Sequence, residues 1–95
     1  MITKYENICA VCGRVKEHTH HTIYGRGLRE LADQDNLTIP LCGYCHGQIH
    51  TNGTAGELSK MVGQLQWEKE YILEHNSTDE EAREAFRKRY GRSYL

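Results

Sequence analysis

The rhythm of apolar and polar positions changes near residue 53. Before it, apolar residues come in short runs, "THHTIY" at Thr19 to Tyr24 and "LTIPL" at Leu37 to Leu41. Both are rich in β-branched and aromatic residues and bounded by polar or Gly positions, which predicts two strands. Pro40 has no N–H to donate, so the second strand belongs at a sheet edge. The interval "GRGLRELADQDN" is too long for a tight hairpin turn and leaves room for one helical turn at Leu28 to Ala32. From Tyr44 a short helix is expected to about Thr51, ended by Asn52-Gly53. The order is therefore strand, long loop, strand, helix.

Beyond residue 53 the period becomes helical. Leu58, Met61, Val62, Leu65 and Ile72 predict a helix from about Gly56 to His75 that buries this stripe. Asn76 and Ser77 stop it. Ser77-Thr78-Asp79-Glu80, and Thr78 with Glu81, both fit a capping box, and Ala82, Ala85, Phe86 and Tyr90 form the apolar side of a last helix ending at Gly91. Trp67, Tyr71 and Leu73 fall outside the main stripe. Either the last helix folds back over them, or a second copy covers them in a homodimer joined through the C-terminal helices. Trp67 suits a packed anchor better than a base-stacking platform. The expected class is α+β, with residues 1–53 carrying the chemistry and residues 54–95 forming a helical extension of the same domain.

Size changes this picture by making the core thin. A 95-residue chain with 38% hydrophobic content suits one small domain. Such a domain buries only about 60% of the surface its unfolded chain exposes, so a covalent or metal staple would matter. Four cysteines are available for one. Two disulfides would need an oxidising compartment, and the opening "MITKYENICAVCGRV" has no apolar stretch long enough for a signal peptide. A cytoplasmic protein with reduced thiols is the expectation. No segment approaches the length of a membrane span, and no repeat is visible. A net charge of −1 neither favours nor excludes nucleic acid; the placement of the cations decides that.

Cys9-Ala-Val-Cys12 and Cys42-Gly-Tyr-Cys45 are two C-x2-C knuckles about thirty residues apart, the arrangement that clamps one tetrahedral zinc through four thiolates. Such a closed site is structural, because no coordination position is left for substrate. His46 and His50, one helical turn apart, can grip a second metal if a third ligand comes from elsewhere, and His20-His21 offers one. A finger built from Cys9, Cys12, His46 and His50 would waste two cysteines and needs an interval far longer than such fingers have.

"HHTIYG", then "DNLTIPLCGYCHGQIH", framed by the two knuckles, resembles the HNH nucleases of the ββα-metal class over roughly residues 9 to 51. Within that class the chain is most similar to small phage-type proteins, some of which end in a tail like "RYGRSYL". The resemblance implies a zinc-stapled hairpin and helix around one divalent ion, with DNA across the open side, in a phage protein working inside a bacterial host. It implies that His21 activates water, that His20 and the helix residues His46 and His50 hold the ion, and that Asn36 is the middle residue orienting the His21 imidazole. Asn36 departs from the pattern, lying six residues before Cys42 where about five are expected. Either a bulge intervenes or Asn36 only caps its own turn.

The chemistry is independently sound. Phosphodiester hydrolysis needs a deprotonated water and a cation to neutralise phosphate charge. An imidazole titrating near 6.5 can serve as base at neutral pH. Adjacent strand residues face opposite ways, so His20 and His21 can share one phosphate only at a strand end. Three imidazoles without a carboxylate favour Mn, Ni, Co or Zn, with Mg supporting weaker turnover. Arg26 and Arg29 are the candidate DNA contacts, while Arg87, Lys88, Arg89 and Arg92 either bind phosphate or form an exposed face balanced by Asp79, Glu80, Glu81 and Glu84. Lys16, His18 and His75 read as solvated surface. Two functions remain: a metal-dependent HNH endonuclease that nicks or cleaves DNA, or a non-catalytic zinc-stapled nucleic-acid-binding or inhibitory module on the same fold.

Overall fold

In the computed structural model, which describes residues 1–95, the elements follow as β1 (His18–His21), α1 (Leu28–Gln34), β2 (Thr38–Leu41), α2 (Gly43–Thr51), α3 (Gly53–His75) and α4 (Asp79–Tyr90). The two strands pair antiparallel, with His20 opposite Ile39 and Pro40 opposite Thr19. Pro40 needs no ladder donor there, and its carbonyl accepts from the Ala10 N–H at 2.8 Å.

β1 ends at His21 rather than Tyr24 because the chain is drawn toward α3. The Thr22 carbonyl accepts from the Ser59 hydroxyl at 2.8 Å, and Ile23 turns fully into the core. α1 is longer than the single turn expected, and it stops where Asn36 takes a left-handed φ of 58° while the Leu37 N–H bonds back to Ala32 O at 2.8 Å. Asn36 is thus a turn-closing residue, which Asn tolerates better than most. α2 begins at Gly43 because Cys42 caps it, its sulfur accepting from the Cys45 N–H. Asn52 ends α2 and also starts α3, where its side chain accepts from the Ala55 N–H at 3.1 Å. At α4 the capping box that forms is Thr78 with Glu81.

The buried face of α3 differs from the expected stripe. Leu58, Val62 and Leu65 are 54%, 45% and 54% exposed, whereas Gly56, Ser59, Gly63, Gln64 and Glu68 are buried. The cause is close approach. A Cβ on Gly63 would sit 2.9 Å from Ile23 Cγ1 and overlap Thr22 Oγ1, and one on Gly56 would sit 2.7 Å from the Tyr24 hydroxyl. Only small residues let α3 seat this tightly, so Leu58, Val62 and Leu65 turn outward while Met61 and Ile72 stay half-buried. The polar side chains that α3 buries are satisfied: Gln64 donates to Glu68 and Ser93 and accepts from the Tyr94 N–H, while Glu68 also accepts from Arg83. Gly63→Ala should therefore cost about 1–3 kcal/mol, the usual range for overpacking, seen as a lowered Tm in thermal melting.

α4 folds back over α3. Trp67 packs edge-on against Phe86 and stacks on Tyr71, and Asp35 accepts from Trp67 Nε1, the Tyr90 hydroxyl and the Arg89 guanidinium at 2.7–3.0 Å. Trp67 is a packed anchor. Trp67 and Tyr71, which suggested a homodimer, are partly covered within the chain itself, while Leu73 remains 74% exposed. The interior consists of two five-residue clusters, one around Leu41, Ile49 and three of the cysteines, the other around Ile23, Leu37 and Phe86. No helix is long and apolar enough to cross a membrane.

Candidate functional site

The first knuckle is shaped by a bridge between Ile8 and Val15, with the Cys9 N–H donating to Arg14 O at 2.7 Å and Gly13 turning the chain at a φ of 80°. The Ala10 to Pro40 bond joins it to β2, which delivers the second knuckle at the start of α2. All four cysteines are free, and their sulfurs lie within 4.8 Å of one another, Cys12 and Cys42 at 3.6 Å. A tetrahedral ion with bonds of 2.3 Å to sulfur separates its ligands by about 3.8 Å. Burial raises the Cys9 thiol, but backbone N–H groups of Cys12, Cys42 and Val11 outweigh it and pull the thiol below its ordinary value. Cys45 is pushed up by burial, then by its hydrogen bonds to the other three sulfurs. Holding all four sulfurs as thiolates would crowd negative charge that a cation offsets, and the cluster can hold one structural metal ion.

A second group of ligand atoms, those of His20, His46 and His50, also lies within 4.8 Å of one another. His20 comes from β1 and is 1% exposed; His46 and His50 come from successive turns of α2. His46 Nε2 and His50 Nε2 are 3.1 Å apart, and His46 Nδ1 is 2.9 Å from His18 Nδ1. His18 is therefore engaged with this group rather than only solvated. Burial, then the neighbouring His46 and His50, pushes the His20 imidazole down to about 4, so it is neutral at pH 7. His46 is lowered by burial first and then by His50, His18 and Arg29.

These three histidines line one cavity of about 370 Å³ together with His21, Tyr24 and Arg29. His21 is the last residue of β1, which meets the geometric demand that two adjacent histidines face one space. Its Nε2 lies 3.1 Å from Asp33 Oδ1 of α1. An ionised carboxylate only accepts, so Nε2 carries a proton, and in the neutral ring Nδ1 is the nitrogen that keeps its lone pair. With Asp33 73% exposed the pair adds little stability, but it orients the ring.

Asn36 is not brought to the histidines. It lines a separate cavity with Asp35, Trp67 and Arg89, and the side chain that meets His21 is Asp33. The reason is local: the left-handed turn that lets Asn36 end α1 faces it toward α3 and α4. Of Arg26, before α1, and Arg29, on α1, only Arg29 lines the histidine cavity. On α4, Arg87 pairs with Glu84 of the same helix, whereas Arg89 is held by Asp35, just after α1. Asp33, His18 and Ser59, which donates to Thr22 O and meets His20 Nε2, were not singled out from sequence. No motif marks them, because each reaches the site from a different element.

Residues 4–79 match a family of proteins of unknown function, DUF968, a segment that takes in both knuckles, the cavity histidines and all of α3. Comparison with curated proteins and with solved structures finds no match. Because the match spans most of the sequence, the chain belongs to the DUF968 family.

Proposed function

We propose that the chain is a metal-dependent HNH endonuclease hydrolysing DNA phosphodiester bonds, with zinc in the four-cysteine cluster as scaffold only. The observation that carries this reading is the convergence of His20, His46 and His50 on one cavity that His21 and Arg29 also line. The donor set fits a divalent ion: three imidazoles, one held neutral by burial, with two ring nitrogens facing each other at 3.1 Å. Without a carboxylate, such a set favours Mn, Ni, Co or Zn over Mg.

Held there, a divalent ion supplies positive charge for a phosphate oxygen. His21, with Nε2–H donated to Asp33, presents Nδ1 as the base that takes a proton from the attacking water. Arg29 adds a second positive charge for the phosphate, and Tyr24 lines the cavity beside the buried His20.

Supercoiled plasmid incubated with protein and Mn should relax or linearise, and chelation should stop it. Plasmid that is retarded on a gel yet stays supercoiled with every divalent ion would instead support a non-catalytic binding module. The packing of Phe86 of α4 on Trp67 of α3 within one chain favours a monomer, so light scattering at micromolar concentration should return 11.0 kDa.

A further inference from the structure

The hydroxyl of Ser59 sits between two groups that leave it no freedom. It lies 2.8 Å from the Thr22 carbonyl oxygen and 2.8 Å from His20 Nε2. A carbonyl can only accept, so the single hydroxyl proton goes to Thr22. The Ser59 oxygen then has lone pairs alone to offer His20, and Nε2 must carry the ring's proton. All partners are buried, His20 to 1%, Thr22 to 0% and Ser59 to 7% exposed, so water does not compete for these bonds.

We propose that Ser59 of α3 is a positioning residue that fixes His20 as its Nε2–H tautomer, so that Nδ1 is the donor His20 presents to a metal ion. This rests on the reading that His20, His46 and His50 hold one ion. It assigns that site a support outside the hairpin and α2. On β1 alone, a histidine can rotate and change tautomer; tied to Ser59, its ring plane and bare nitrogen are preset. The seating of α3 is what delivers the serine, through the small residues Gly56 and Gly63 on either side of it along the same buried face. Outer-shell partners of this kind are generally worth about 10- to 100-fold in metal affinity.

The test titrates zinc into protein whose four-cysteine cluster is already filled, comparing the native sequence with Ser59→Ala, and records the imidazole nitrogen and proton resonances of His20. The native protein should bind a further equivalent, keep a proton on His20 Nε2 and shift Nδ1 on metal addition. Ser59→Ala should bind that equivalent about 10- to 100-fold more weakly. Equal affinity in the two proteins overturns the proposal, as does a native His20 protonated on Nδ1. The resonance measurement needs no variant, so it decides even if Ser59→Ala folds poorly. Failure of the native protein to take up a further equivalent sinks the three-histidine metal site, and the proposal with it.

Discussion

Cys9→Ser or Cys45→Ser is expected to unfold the domain or lower its Tm drastically. The two apolar clusters contain five buried residues each, and three of those in the first are the cysteines themselves. Zinc bound by four thiolates contributes on the order of 10 kcal/mol of apparent folding free energy in small zinc domains. The whole stability of a domain this size is about 5–15 kcal/mol, so losing one ligand removes a term comparable with the total. The damage should spread beyond the cluster, because the first knuckle is tied to β2 through Ala10 and Pro40 and the second caps α2, which carries His46 and His50. Thermal melting by circular dichroism and metal analysis test this together: the native protein should hold one zinc through mild chelation. A melting curve unchanged by either substitution would remove the staple.

His46→Ala should abolish uptake of a second metal ion and reduce DNA cleavage to the metal-free background, while the fold persists. His46 stands centrally among the imidazoles, 2.9 Å from His18 and 3.1 Å from His50. Its loss leaves two ligands on different elements, so the effect should exceed the roughly 10- to 100-fold expected of an outer-shell partner. α2 should survive, because its start is capped by Cys42 and its buried contacts come from Cys45 and Ile49. Metal content after dialysis, beside the circular dichroism spectrum, separates loss of metal from loss of fold.

Much of the hairpin and of the cysteine and histidine clusters was legible because the signals are local. C-x2-C spacing, the i and i+4 histidines and the Thr78–Glu81 box each depend on geometry within one turn, and the structure keeps them. The face of α3 was not legible in the same way. Periodicity ranks Leu58, Val62 and Leu65 as the buried side, but which side faces inward depends on how near β1 and the Thr22–Tyr24 segment approach. At that range Gly56, Ser59 and Gly63 fit and leucines do not. The partner of His21 was missed for a similar reason. Asn36 lies at about the right distance along the sequence, yet its left-handed turn faces it elsewhere, and Asp33 reaches the imidazole from inside α1.

The most direct test of the proposed nuclease is the initial rate of plasmid relaxation by His21→Ala beside that of the native protein, at equal metal content and with Mn in the buffer. His21 is not among the three clustered histidines proposed to hold the ion, and its ring is held by an exposed carboxylate rather than by the core, so fold and metal should be retained. Removing a general base typically costs about 10²- to 10⁴-fold. A fall in that range is the expected result; His21→Ala relaxing plasmid at the native rate would contradict the assignment of His21 as the base.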